Sequence, residues 1–490
     1  MSTKVKLLAC LAGAAIPCLL AVAAHSDETY TVKTIIPVPG GLNSFDISFV
    51  DANIHTFVLA DRTNKSIDVV NTHSNTLTAQ LTATPPFAGL CVVPAVSSAD
   101  VKPDANICAN ASGPNGVIIV DQREVWATDA PPISNIQCTE TTRIAIATAP
   151  PPHFQQVCTA TIGTSSVKVI NLKTGHTIAT IDMGGKKRTD ELCEDVGHEV
   201  VLIANDDPGP ADNFLAFIST ESHHILQKIK LDGSDQTHGK ITLTGVTVPT
   251  KATVAANGIE QCKFNPRTGS YYLAVPATKI IPTSGLSTDG PGVVLKISKN
   301  APFHIEQTFT IDASTGCTGP QGLAIGPRHE IQLGCGGTNS LIIDDRTGAT
   351  IALQAGEGGA DEVWYNPGDN SYFIARSTAG KLGVQDARSS PPQADVDVAT
   401  AVGSHSVAAD MLKNQIYIPA NKAATALCGS SNGCIAVFTA PNDDRCLAEG
   451  MPVLDHDDGD DPVFMRTRCH RERDDDDHNR DRDRDREARR

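Results

Sequence analysis

Residues 258–276 read GIEQCKFNPRTGSYYLAVP, and residues 359–377 read GADEVWYNPGDNSYFIARS. Glu260 and Asp361 each stand six places before a proline that opens a tight turn, Pro266 and Pro367, and a β-rich run follows. Residues 319–337, GPQGLAIGPRHEIQLGCGG, repeat the phrase with Gln321 and Pro327. Asn115, Asp190 and His405 keep the same offset before Asp121, Val196 and Met411. A unit this short cannot bury its own apolar faces, so its recurrence predicts stacked copies of one supersecondary element. It also carries one polar residue per copy to an equivalent place.

Each copy divides into four strands. In the first they are FDISFV (45–50), HTFVLA (55–60), SIDVVN (66–71) and TLTAQL (76–81). The third strand recurs as SVKVIN (166–171), NFLAFIS (213–219), GVVLKIS (292–298), SLIIDD (340–345), LGVQDA (382–387) and CIAVFT (434–439). Seven repeats result, beginning near Ser44, Asn115, Asp190, Glu260, Gln321, Asp361 and His405. The seventh lacks a fourth strand before Pro441-Asn442-Asp443-Asp444, while an orphan strand, TYTVKTIIPV (29–38), precedes the first. Placing that strand on the outside of the last sheet closes a ring. The expectation is an all-β, seven-bladed propeller over residues 29–440. Abundant glycine and proline (39 and 30) supply its many turns.

The first 24 residues read as a secretory signal peptide. Lys4 and Lys6 precede an apolar stretch that ends in Ala21-Val22-Ala23-Ala24. Its cleavage leaves no transmembrane span, and the protein is expected in the periplasm or outside the cell. Cys10 and Cys18 leave with the signal, and an even number of the fourteen cysteines remains in an oxidising compartment. Adjacency on the strand map pairs Cys91–Cys108, Cys138–Cys158, Cys193–Cys262, Cys317–Cys335 and Cys428–Cys434, and leaves Cys446–Cys469 for the tail. Residues 441–490 are expected to form a disulfide-tethered, then disordered tail. DHDDGDD (455–461) and the Asp/Arg-rich 471–490 hold too little apolar surface to fold.

Net charge of -16 excludes a nucleic-acid partner, which needs a basic face. Without CxxCH or GxxxxGKS/T, neither haem nor nucleotide is indicated.

ADRTNKSIDVVNTHSNTLTAQL (60–81) and TSSVKVINLKTGHTIATI (164–181) resemble the YVTN-repeat, lactonase-like propellers of bacterial envelopes. GPNGVIIVDQREVWATD (113–129) is similar to blades of the regucalcin/gluconolactonase and virginiamycin B lyase propellers. The resemblance covers roughly residues 30 to 440. In the latter enzymes a metal at the channel mouth polarises a lactone or ester oxygen, and Asn115 matches one of their ligand-type positions. It implies a metal-dependent hydrolase or lyase on a lactone or sugar acid as one function.

If the first strand of each repeat runs down the channel, short turns such as NPRTGS and NPGDNS lie at the bottom. The long insertions, 82–112, 131–164, 205–212, 233–257, 276–291 and 420–433, then lie on top. The leading residues sit there too: Phe45, Asn115, Asp190, Glu260, Gln321, Asp361 and His405, followed by Asp46, Gly116, Glu191, Gln261, Gly322, Glu362 and Ser406. Long loops around a concave polar mouth make a ligand site. Asn115, Glu191, Gln321 and Glu362 are the expected ligand-binding residues. Crowded carboxylates repel unless a proton or cation intervenes. Asn115, Asp190, Glu260 and Asp361 are therefore the expected metal ligands, for Ca²⁺, Mg²⁺ or Mn²⁺. His405 or Glu260 is the expected general base. The leading reading is binding of a small or oligomeric ligand at this mouth. The alternatives are the metal-dependent enzyme and a scaffold for an envelope protein. Trp126 and Trp364 are read as packing between repeats.

Overall fold

A computed structural model describes residues 30–142 and 154–439. The expected signal peptide, the expected Cys446–Cys469 pair and the charged tail lie outside the described residues. Strands dominate, and their pairing yields seven four-stranded antiparallel sheets. The first holds Ser48–Asp51, Thr56–Asp61, Ser66–Asn71 and Thr76–Leu81, hydrogen-bonded in chain order. The second to sixth sheets begin with Val117–Val120, Thr189–Asp195, Cys262–Asn265, Pro320–Ile325 and Val363–Asn366. In the seventh, Ala408–Asp410, Gln415–Ala420 and Cys434–Thr439 are completed by Thr31–Pro37, which pairs antiparallel with Cys434–Thr439. The orphan N-terminal strand thus takes the expected place.

Two regularities show that the sheets are copies of one unit. The outermost strand of every sheet pairs with a break in register, as at Val69/Val70, Val169/Ile170, Phe217/Ile218 and Lys296/Ile297. Ile342/Ile343, Gly383/Gln385 and Val32/Thr34 supply the others. A bulge of this kind increases local twist. The second and third strands are buried on both faces, as Thr56–Asp61 is throughout, whereas outer strands such as Ile225–Lys230 alternate. Neighbouring sheets therefore stack face to face. Trp126, fully buried, packs with Val201, Ile203 and Phe214 of the next sheet.

The innermost strand of each sheet lies against that of the next, and the seventh lies against the first. Backbone bonds mark the crossings. Gly116 N–H donates to Asp190 O at 2.9 Å, Gln261 N–H to Gln321 O at 3.2 Å and Glu362 N–H to His405 O at 3.1 Å. Gly116 and Gly322 are glycines for this reason: a Cβ on either would stand 2.1 Å from the Asp190 or Asp361 carbonyl oxygen. The leading residue of each repeat is where adjacent inner chains meet.

The long insertions are not plain loops. Val101–Lys102, Ile133–Thr142 and Phe154–Ile162 build one three-stranded sheet, and Thr253–Asn257, Ala277–Ile281 and Thr288–Gly290 another. Five disulfides join the expected partners: Cys91–Cys108, Cys138–Cys158, Cys193–Cys262, Cys317–Cys335 and Cys428–Cys434. Cys193–Cys262 ties the inner strands of the third and fourth sheets. No helix among the described residues is long and apolar enough to cross a membrane.

Candidate functional site

The leading residues lie just before or at the start of the inner strands and gather at one end of them. The side chains there fall into two halves. On one side a charged network is internally matched. The Arg62 guanidinium donates to the Asp46 carboxylate, to Asn115 Oδ1 at 2.6 and 3.1 Å, and to Phe45 O at 3.4 Å. His405 Nε2 lies 3.3 Å from Asp46 Oδ1, its Nδ1 lies 2.9 Å from Gly403 O, and its ring stacks on Phe45 at 4.8 Å. Both ring nitrogens face oxygen acceptors, which selects the imidazolium. Arg188 reaches Asp190 Oδ2 at 2.6 Å and Asp206 at 3.5 Å. Asp206 also accepts from Asn110, on the 82–112 insertion, and from Ile259 N–H at 3.0 Å.

On the other side stand Glu260, Gln321 and Asp361, from the fourth, fifth and sixth repeats. All three are half-buried, and among the described residues none of their side chains has a hydrogen-bonding or ion-pair partner within range. This arc of two carboxylates and an amide faces the mouth without a protein donor.

The next position lies deeper. Glu191 and Glu362 are 5% and 2% exposed, so they lie beneath the mouth and not on its rim as ligand residues would. Glu362 accepts from Ser406 Oγ at 2.5 Å and Val407 N–H at 3.0 Å, and Ser406 Oγ meets Ser48 Oγ at 2.7 Å across the first and seventh sheets. Gln261 Oε1 accepts from Leu323 and Val363 N–H, linking three sheets.

The electrostatics follow from burial and crowding. Burial raises the Glu260 carboxyl well above its ordinary range, and Asp206, Asp190 and Asp361 add to this against Arg188. Burial also lifts Asp361, with His405 opposing and Asp46 reinforcing. Asp190 is pushed up to about 8 by burial, its partner Arg188 opposing and Asp46 and Asp206 reinforcing. Asp46 goes the other way. Burial disfavours its charge, but Arg62, His405 and Arg188 together hold it far below the usual carboxylate range. Burial alone would depress His405, but the Asp46 hydrogen bond and the Asp361 and Asp46 charges push it up to about 9. Beneath the mouth, burial raises Glu362 to about 7 against Lys263, and Glu191 rises further beside Asp190 and Glu362.

Guanidinium groups already hold two of the four expected metal ligands. Arg62 donates to Asn115, whose Nδ2 in turn donates to Thr189 O at 2.9 Å, and Arg188 pairs with Asp190. Among the described residues no group of three or more His, Cys, Asp or Glu side chains is arranged to hold a metal ion. His405, held as a cation at neutral pH, donates where a general base must accept. The arginines escaped the sequence reading because Arg62 follows the second strand of its repeat and Arg188 precedes the leading residue of its own. Neither position recurs.

No known family pattern matches the chain, and no curated protein matches it. Solved structures do. A chain from the crystal structure of a mitotic checkpoint complex is 10% identical with a TM-score of 0.52, covering 90% of this chain and all of that one. A chain of hydrazine synthase from Kuenenia stuttgartiensis is 12% identical with a TM-score of 0.51, covering 84% of this chain and 99% of that one. At these identities the likeness concerns the fold alone, and it is propeller-like.

Proposed function

We propose that the seven sheets close into a seven-bladed propeller and that the polar end of its axis binds a small organic cation, in an exported protein. The contact between the innermost strands of the first and seventh sheets supports the closure. The five disulfides support an oxidising compartment, periplasmic or extracellular.

The observation that carries the binding proposal is the arc of Glu260, Gln321 and Asp361. Its acceptors lie half-buried with no hydrogen-bond donor within range, and Glu260 is repelled by Asp361, Asp190 and Asp206. An ammonium group placed between them removes that repulsion and supplies the missing donors. The matched half of the mouth, Arg62–Asp46–His405 and Arg188–Asp190–Asp206, is the rigid wall. A buried network with its partners satisfied holds its geometry.

Titration of spermidine into the purified protein, followed by calorimetry, tests the reading. The wild type binds, and E260Q/D361N weakens binding at least tenfold by removing both charges without changing shape. Absence of binding to the wild type, or equal binding by the double variant, contradicts it. A hydrolase or lyase acting on a lactone or sugar acid is the second reading. The Glu260 carboxyl, raised by burial and by its acidic neighbours, favours it. Turnover of a lactone panel that is lost in Glu260→Gln would support that reading.

A further inference from the structure

The inner strands have a second end, and it differs from the first. Past the mouth residues, the strands Ser48–Asp51, Cys262–Asn265, Pro320–Ile325, Val363–Asn366 and Ala408–Asp410 run on to a cavity of about 320 Å³. Four residues of strand separate Glu260 from Phe264, or about 13 Å at the usual rise. The volume is at the small end of the range for small-molecule sites, about 300–1,000 Å³. The lining is aromatic and aliphatic, with Phe49, Phe264, Trp364, Tyr365 and Met411 prominent. Phe49 and Trp364 meet edge to face at 5.7 Å, and both are half-buried. Trp364 therefore walls a cavity in addition to packing between repeats.

The charge of the lining is the second observation. It contains two cations, Lys263 and Arg267, and no carboxylate, in a chain whose net charge is -16. Arg267 is committed to Gly326 O at 3.2 Å. Lys263 has no hydrogen-bond or ion-pair partner within range among the described residues; its charge acts on the buried Glu362 and Glu191, and its ammonium lies 5.0 Å over the Trp364 ring. A flat apolar wall with one ammonium at its edge is complementary to an aromatic ring bearing one anionic group. The ring stacks or packs edge-on against Trp364 and Phe49, and the anion takes the ammonium hydrogen bonds.

We infer that the cavity at the lower end of the inner strands is a second binding site, specific for a small aromatic carboxylate held between Trp364, Phe49 and Lys263. The inference is independent of the mouth proposal, since the two sites share no residue and take ligands of opposite charge.

The test compares 2-naphthoate with its neutral counterpart 2-naphthylmethanol by calorimetry, on the wild type, Lys263→Met and Arg188→Met. The wild type binds the carboxylate at least tenfold more tightly than the alcohol. Lys263→Met, which keeps most of the apolar stem and removes the charge, still binds the alcohol and loses the preference. Arg188→Met, altered at the mouth, retains it. A second readout keeps the test independent of the variant's folding. The chain has two tryptophans, and Trp126 is fully buried in packing, so naphthoate should change Trp364 emission in Trp126→Phe. Equal affinity for acid and alcohol in the wild type overturns the inference. So does a preference unchanged in Lys263→Met, or one lost in Arg188→Met instead, which would place the anion at the mouth.

Discussion

His405 shows how much of the site depends on partners that one residue type does not announce. Its position was legible from the six-residue offset to Met411. Its protonation was not, because Asp46 belongs to the first repeat and His405 to the seventh. The ring faces Asp46 and Asp361, stacks on Phe45 and bonds Gly403, and Arg62 stands on the far side of Asp46. Its folded pKa, about 9, exceeds the ordinary histidine value near 6.5. The folded state therefore holds the proton more tightly than the unfolded chain does. That stabilisation is fully present below pH about 6.5, disappears as pH rises through about 9, and amounts to about 3 kcal/mol at most. Urea unfolding from pH 6 to 10 checks this. Wild type exceeds His405→Gln in stability at pH 6, and the gap shrinks towards pH 10. A gap independent of pH would show that the imidazole is neutral and that Asp46 relies on Arg62 alone.

At the scale of elements, the strands and disulfides were the most legible part. SIDVVN, SVKVIN and CIAVFT became Ser66–Asn71, Ser166–Asn171 and Cys434–Thr439, because a central strand must be apolar on both faces and turns bound it on either side. First strands were read too early. FDISFV was placed at 45–50, whereas the strand is Ser48–Asp51, since the residues before it bond across to the neighbouring sheet, as Ile47 N–H does to Asn115 O. The accessory sheets were not legible, because Val101–Lys102 pairs in parallel with Phe154–Ile162 across a long separation that leaves no local pattern. Cys193–Cys262 was found because adjacent sheets present facing sides. It spans 69 residues and both thiols are buried, so it restrains the unfolded chain strongly. Replacing both cysteines with alanine should cost about 3–4 kcal/mol in guanidinium unfolding, with native far-ultraviolet circular dichroism retained. A loss below about 1 kcal/mol would mean that the inner strands of these sheets are held by packing alone.

Across the whole molecule, the repeat places its leading residues, polar in six of the seven sheets, at one end of the inner strands and the apolar ends of the same strands at the other. Carboxylates outnumber cations at the first end, whereas the cavity at the second has two cations and no carboxylate. The mouth was legible because its residues recur at a fixed offset. The cavity was not, because Lys263, Trp364 and Met411 differ in type from the residues at equivalent repeat positions and converge only through contacts between sheets. The division of the mouth into a matched wall and an unmatched arc also escaped notice, since it is set by two arginines outside the repeat. A crystal structure of the protein grown with spermidine measures the central claim most directly. The account predicts seven sheets around one axis, with an amine nitrogen within hydrogen-bond distance of both Glu260 and Asp361. Spermidine bound elsewhere, or Glu260, Gln321 and Asp361 separated on the exterior of an open array of sheets, would contradict it.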